Sequence, residues 1–316
     1  GCSKTCTFCV IPEIRGAFRS RLVDEVVREA QGLAANGVVE VNLIAQEITS
    51  FGKDLGTGAD FPLLLRKLHA IDGIRWIRIL YNYPTELSGE IVATYADLPK
   101  ICPYIDLPLQ HINDRILRLM KRGSRKDSTL NLLERIRSTV PQVAIRSSFI
   151  AGFPGETEQE FAELLDFVRS AGFHRLSAFR YSPEEGSVAA GLPGQLADEV
   201  REERYAELCA IRDEATRQWN EGQLGTEQEV LVEGPVRQGD STYIGRLATQ
   251  APEIDGVVYL QQSSDSNLEA GAFISATLRQ ADSLDFAADL EAAPAGSIPS
   301  AAPPLRILSS DVGSLR

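Results

Sequence analysis

The order of its apolar runs predicts an α/β fold in two parts. The first is an open barrel of six β/α units whose first strand precedes residue 1; the second is a small antiparallel β-barrel of the OB-like kind. Three observations predict this. Between Leu22 and Tyr181, amphipathic helical stretches alternate with short apolar runs, the pattern of parallel β/α units. From Glu227 to Leu278 the texture changes to short β runs separated by Gly, Pro and Asp, as small closed barrels require. The length of 316 residues accommodates one large domain and one small one, with core enough to fold without staples.

The chain opens on Cys2-Ser3-Lys4-Thr5-Cys6-Thr7-Phe8-Cys9, three cysteines at C-x3-C-x2-C spacing. Structural zinc takes four ligands, and a cluster held by four cysteines is saturated by the protein. Three thiolates on a four-iron cube leave one iron open to another ligand. A zinc-like knuckle in a noncatalytic scaffold is the competing reading of the same three residues. Cys102 and Cys209 stand alone in apolar or helical surroundings and read as buried, inert thiols. Five cysteines so distributed are not a disulfide framework. Because residue 1 is Gly and the motif starts one residue later, the sequence is expected to be a fragment or trimmed form that lacks an N-terminal segment and the first strand.

Each later element has its own signal. Leu22 to Asn36 carries a helical period ended by Gly37, and Val38 to Ile44 follows as the second strand. Phe61 to Ile71 is helical and leads to the strand Trp76 to Leu80. A helix around Ser88 to Tyr95 precedes the strand Tyr104 to Leu107. Two helices, Asp114 to Lys121 and Lys126 to Thr139, precede the strand Val143 to Phe149. Glu156 to Ala171 is helical and feeds the strand Arg175 to Tyr181. Asp198 to Glu221 is a long charged helix with apolar Val200, Tyr205, Leu208 and Ile211, read as a connecting or covering helix. The β runs of the second part are Glu229 to Val232, Tyr243 to Arg246, Gly256 to Leu260 and Phe273 to Leu278. After Leu290 the chain turns to Ala, Pro and Ser, a composition expected to be disordered. The expected boundaries are therefore 1–221, 222–290 and 291–316.

Composition excludes several classes. The apolar fraction of 43% and charged fraction of 24% are those of a globular chain. Neither a membrane-length apolar run nor a signal-peptide pattern is present, and a cytoplasmic protein is expected. The net charge of −12 is uneven: 222–290 holds eleven acids and three bases, a net −8. Such a module repels nucleic-acid phosphates and attracts a basic partner, unless it is simply a solvated acidic surface.

In a parallel β/α barrel, chemistry sits at the C-terminal ends of the strands. Those ends here are polar: Ala45-Gln46-Glu47, Tyr81-Asn82-Tyr83-Pro84, Pro108-Leu109-Gln110-His111, Ile150-Ala151-Gly152-Phe153-Pro154-Gly155-Glu156-Thr157 and Arg180-Tyr181-Ser182-Pro183. The segment from Gly152 to Thr157 lets backbone approach a ligand and then starts a helix; read structurally it is a tight turn. Gln110-His111 reads either as part of a site or as a satisfied structural pair.

With these residues in place, the C-x3-C-x2-C loop with Phe8 before its third cysteine resembles the signature of radical S-adenosylmethionine (SAM) enzymes. Gly1 to Pro12 with Arg15-Gly16 and Ser20-Arg21, Leu107 to His111, Met120-Lys121-Arg122, and Phe149 to Thr157 narrow the resemblance to the methylthiotransferase family. The acidic module corresponds to that family's TRAM domain, so the resemblance runs from about Gly1 to Leu290. The wording Arg180 to Gly186, and Gly245-Arg246 followed by Ala251 to Gly256, resembles the RimO-type branch, which modifies an aspartate of the twelfth small-subunit ribosomal protein. The rival is the MiaB-type branch, which modifies tRNA adenosine. A TRAM domain gripping tRNA should be basic, and this one is acidic, so tRNA is the less expected partner.

The resemblance implies a partial radical SAM barrel in which Cys2, Cys6 and Cys9 hold a 4Fe–4S cluster. Its open iron chelates S-adenosyl-L-methionine, whose reductive cleavage yields a 5′-deoxyadenosyl radical. Phe8 is implied near the adenine. Further cofactor contacts implied at the strand ends are Gln46, Gln110, Arg146, Ser148, Gly152, Glu156 and Tyr181. The substrate implied is a basic ribosomal protein, and the electron donor a flavodoxin or ferredoxin. Family members carry three more cysteines in an N-terminal domain holding a second 4Fe–4S cluster. Cys102 and Cys209 do not replace these, so this chain is expected to cleave SAM without completing methylthiolation alone.

Overall fold

In the computed structural model, which describes residues 1–237, 242–261 and 268–290, parallel strands alternate with helices from Ile11 to Arg180. The order is α1 (Ile11–Arg15), α2 (Val23–Ala35), β1 (Glu40–Leu43), α3 (Phe61–His69), β2 (Trp76–Ile79), α4 (Gly89–Asp97), β3 (Tyr104–Asp106), α5 (Asp114–Leu119), α6 (Lys126–Thr139), β4 (Ala144–Ala151), α7 (Glu158–Ser170) and β5 (Arg175–Arg180). All five strands expected within the chain are present. They form a β1–β2 pair and a β3–β4–β5 sheet, every pairing parallel. A bridge between Ile77 and Ile101 carries β2 across to the segment before β3.

Helix starts follow side-chain chemistry. Asp60, Ser88, Asn113 and Thr157 each accept a bond from a first-turn amide of α3, α4, α5 and α7. Thr157 and Glu160 complete a reciprocal capping box.

The strands alternate strictly between two environments. Val41, Leu43, Ile77, Ile79, Ile105, Ile145 and Phe149 join the core beneath the helices. Their neighbours Glu40, Asn42, Arg78, Asp106, Arg146 and Ser148 occupy the other face, the barrel interior, and all but the half-buried Arg146 are buried. A barrel interior this polar must be satisfied by pairing. Arg78 is fully buried and donates from Nε to Glu40 at 2.9 Å, and Arg146 donates to Asp106 at 2.8 Å.

A short 3-10 helix (Val188–Gly191) precedes α8 (Asp198–Gln223), which packs along β5. Five strands then close a small barrel: β6 (Glu227–Pro235), β7 (Thr242–Leu247), β8 (Val258–Gln261), β9 (Phe273–Asp282) and β10 (Asp285–Leu290), in the order β10-β8-β7-β6-β9. It departs from an all-antiparallel barrel at one seam, because β10 pairs parallel with β8. The strand β10 has no counterpart among the sequence signals. The expected disordered tail, 291–316, lies outside the described residues.

The small barrel sits against the N-terminal ends of the parallel strands. Arg246 of β7 reaches Glu40 at 2.5 Å, Arg78 donates to the Ala248 carbonyl at 2.6 Å, and the Tyr104 hydroxyl donates to Asp255 at 2.5 Å. Trp76 meets Phe273 edge-on with ring centres 5.0 Å apart. One end of the strand array is thereby covered, and the cysteine loop lies toward the other.

Candidate active site

The cysteine loop has no regular structure and is fixed from three sides. Cys2 N–H donates to Gly16 O at 3.1 Å. A Cβ on Gly1 would stand 2.2 Å from Ala17 O, so only glycine allows this backbone approach. Buried Thr7 holds the middle: its N–H donates to Met120 O at 3.1 Å, its hydroxyl to Leu119 O at 2.8 Å, and its carbonyl accepts from Ala189 N–H at 2.8 Å. Phe8 packs on the apolar group of Ile116, Met120, Ile150, Phe153, Tyr181 and Ala189. That group includes Ile150, near the end of β4, and Tyr181, just past β5.

All three thiols are half-buried. Burial raises the pKa of Cys9; Cys6 and Cys2 push the same way, while the Ile11 amide and Arg122 oppose them. Arg122 Nη1 donates to Cys6 Sγ at 3.6 Å, and Lys4 N–H to Cys2 Sγ at 3.5 Å. Among the described residues, no group of three or more His, Cys, Asp or Glu converges as a single-ion metal site would require. A 4Fe–4S cube makes a different demand, since each thiolate binds its own iron and three sulfurs need not converge on one point. Three accessible thiols on one loop, with N–H donors aimed at two of the sulfurs, fit such a group.

A cleft of about 770 Å³ opens beside this loop. It is lined by Gly1, by 15–21, and by the outgoing ends of β1 and β2, including Asn42, Gln46, Glu47 and Tyr81. Glu47 is buried and accepts from Thr49 Oγ1 and from Ser50 N–H. Asn42 is 5% exposed, and its Oδ1 has no hydrogen-bond partner. Tyr81 is 45% exposed with φ of 64°, a conformation that costs a non-glycine residue energy. It is held there by its N–H donating to Asp106 Oδ2 at 2.8 Å. A second cavity of similar volume lies between α8, the start of β5 and the β9–β10 turn. It faces the N-terminal strand ends, where barrel chemistry does not occur.

The structure distributes the expected contacts unevenly. Gln46 lines the cleft, and Phe8 and Tyr181 share one apolar group. Gln110, at φ of 75°, pairs through its backbone with Ser148 and Ile150 at the edge of β4. Arg146 is turned toward the small barrel: it donates to Asp106 and Ser177, lies 3.8 Å from Asp255, and lines the second cavity. Glu156 is committed inside the protein. Its Oε1 pairs with His111 Nε2 at 3.0 Å, and its Oε2 accepts from Gly152 N–H at 2.9 Å and Arg204 Nη1 at 2.7 Å. His111 Nδ1 accepts from Asn113 N–H, which leaves the ring proton on Nε2, toward Glu156. Gly152 has φ of 77°, and a Cβ there would stand 2.8 Å from Arg201 Cγ. His111 and the turn from Gly152 to Glu156 thus act as internal supports.

Sequence reasoning did not single out Asn42 or the side-chain role of Arg122. The polar runs at strand ends pointed to Tyr81, but its strained backbone depends on Asp106 from another strand. Nothing in the sequence marks Asn42 as unpartnered.

The model of the radical SAM superfamily matches residues 1–168, and that of the TRAM domain matches residues 224–290. Curated relatives include the ribosomal protein uS12 methylthiotransferase RimO of Moorella thermoacetica, 45% identical over 89% of this chain and 62% of the relative. The protein of the same name from Geobacter sulfurreducens is 44% identical over 90% and 63%, and that from Aquifex aeolicus 44% over 91% and 66%. The chain thus spans less than two thirds of the length of these relatives. Among solved structures, coproporphyrinogen III oxidase (HemN) from Escherichia coli, a radical SAM enzyme, covers 88% of this chain and 64% of its own at 14% identity, with a TM-score of 0.50. That likeness supports the fold alone.

Proposed function

The chain belongs to the radical SAM superfamily, and on that premise we propose that it is the SAM-cleaving and TRAM portion of a methylthiotransferase. Its substrate is an aspartate β-carbon of a basic small-subunit ribosomal protein. The observation that carries the reading is the loop of three half-buried thiols beside a cleft at the outgoing ends of β1 and β2. Identity of 43–45% to relatives named for uS12 methylthiolation, over about nine tenths of the chain, supports the substrate.

Cys2, Cys6 and Cys9 would hold the 4Fe–4S cluster. When bound, the cluster supplies the electron for reductive cleavage of SAM, the chemistry that reaches an unactivated carbon. The protein's own part is to bind, orient and exclude water. Phe8 presents an apolar wall, Gln46 and Asn42 offer amides to the cleft, and Tyr81 stands at its mouth. The acidic TRAM portion, net −8 over 222–290, favours a Lys- and Arg-rich partner over tRNA. A flavodoxin or ferredoxin would deliver the electron. Among the described residues no helix is long and apolar enough to cross a membrane; a cytoplasmic setting suits a ribosomal substrate.

Anaerobic reconstitution with iron and sulfide tests the reading. The expected result is about four irons per chain, SAM-dependent formation of 5′-deoxyadenosine under a strong reductant, and loss of both on Cys6→Ala. Zinc uptake without iron, or tighter binding to tRNA than to the basic ribosomal protein at physiological salt, would overturn it. We further propose that methylthiolation needs the part of the relatives this chain does not span. Methylthio-aspartate formed with this chain as the sole enzyme would refute that.

A further inference from the structure

The turn after α5 throws one arginine back over the cysteine loop. Lys121 takes φ of 52° and Arg122 N–H returns to Leu117 O at 2.8 Å, so the helix ends and Arg122 points toward Cys6. Its Nη1 donates to Cys6 Sγ at 3.6 Å, and its Nη2 to Pro108 O at 2.5 Å. The guanidinium lies 4.3 Å from the centre of the Tyr83 ring, within cation–π range. Lys4 approaches the same ring at 4.4 Å, but its ammonium is paired with Glu86 at 2.5 Å, a carboxylate that Lys53 also contacts. Arg122 forms no salt bridge among the described residues, and its buried Nε has no partner. Around this one sulfur the fold has gathered a cation lacking a carboxylate and an aromatic platform that fixes its plane.

We propose that Arg122, seated on Tyr83, is a positioning residue that gives the Cys6 sulfur a hydrogen bond and a nearby positive charge, and so raises the reduction potential of the cluster bound there. The inference rests on the reading of Cys2, Cys6 and Cys9 as cluster ligands. One electron enters the oxidised cluster from a reductant, dithionite in the test and a donor protein otherwise, and the cluster gains one negative charge. A fixed cation beside a ligand sulfur stabilises that added charge, and a hydrogen bond to the sulfur acts in the same direction. Lysine would keep the charge but lose the planar fork that spans Cys6 and Pro108.

The test is a redox titration of the anaerobically reconstituted chain, followed by the electron paramagnetic resonance signal of the reduced cluster, in wild type, Arg122→Gln and Arg122→Lys. At the wild-type midpoint, the reduced-to-oxidised ratio in Arg122→Gln should fall about tenfold, equivalent to roughly 59 mV for one electron. Arg122→Lys should shift the same way by less, with iron and sulfide contents unchanged in both. An Arg122→Gln midpoint equal to wild type at full iron content overturns the inference. If that variant takes up no iron, Arg122→Lys decides: a more negative midpoint sustains the inference and an unmoved one overturns it. Absence of iron uptake by wild type is separate, because it removes the cluster reading and this inference together.

Discussion

Glu156 illustrates how a residue at a strand end can be committed to the protein's own interior. It is 2% exposed, and both its oxygens are spent on His111, Gly152 and Arg204. Removing one member of a buried charged network leaves the others unpaired, at a cost of about 3–5 kcal/mol. Glu156→Ala should therefore lower the urea midpoint of the metal-free chain by that equivalent, with an unchanged slope. Glu156→Gln, which keeps the shape and part of the bonding, should cost less, about 1–3 kcal/mol. Equal midpoints for Glu156→Ala and wild type would show that the network contributes nothing. Asn42 presents the opposite case. Its buried Oδ1 has no donor, so replacing the amide with an apolar group of similar size removes a desolvation cost rather than a bond. Asn42→Leu should melt no lower than wild type without ligand, yet bind SAM or substrate less tightly. A drop of several degrees in the ligand-free melting temperature would contradict this.

At the scale of elements, His174 ties β5 to α8. The residue precedes β5, accepts from Ile145 N–H on β4 at 2.8 Å through Nδ1, and meets Trp219 of α8 with ring centres 4.1 Å apart. Burial, helped by Arg137 and Arg175, depresses its pKa to about 4. The unfolded ring titrates near 6.5, so between these values the unfolded chain binds the extra proton. The stabilisation is complete above pH 6.5 and is lost as pH falls toward 4, a total of about 3 kcal/mol. His174→Phe should flatten this part of the stability–pH curve; denaturant unfolding from pH 7.5 to 4.5 measures it, and an identical slope in the variant would exclude the role. The same scale marks where sequence was legible. The alternation from Leu22 to Tyr181 announced five parallel strands because each carries a run buried beneath the helices, and α6 begins and ends at Lys126 and Thr139 as expected. The polar ends of β1 and β2 line the cleft, while Arg146 and Glu156 serve internal pairs, since alternation says which face a side chain takes and not what meets it there. The strand β10 escaped because Asp285, Ala287, Ala288 and Asp289 have poor strand propensity, and the turn before it relies on Ser283 at φ of 52° rather than on glycine. Its pairing with β9 and β8, fixed only by closure of the barrel, makes it a strand.

For the whole molecule, the question is what joins two barrels of different construction. Glu40 enters from β1, Arg78 from β2 and Arg246 from β7, with Glu233 of β6 as the outer partner. Three of the four are nearly excluded from solvent, so the network depends on every member being paired. Burial alone would raise the Glu40 pKa, but Arg78 and Arg246 outweigh it and hold it below the ordinary carboxylate value. The stabilisation from Glu40 is thus fully present above the unfolded carboxylate pKa and declines as pH falls through the lower folded one. Arg246→Ala breaks the seam from the small-barrel side while leaving Glu40 to Arg78. It should cost about 3 kcal/mol, the lower end for a broken buried pair, and should make the two barrels unfold in separate steps rather than together. Because the wild-type advantage derives from ionised Glu40, the gap between the proteins should narrow below about pH 4. Trp76 meets Phe273 edge-on at this seam, so in a Trp219→Phe background its fluorescence reports separation of the barrels. One coincident transition with an unshifted midpoint in Arg246→Ala at pH 7 would mean that apolar contact alone joins them, and that the buried charges fix orientation without adding stability.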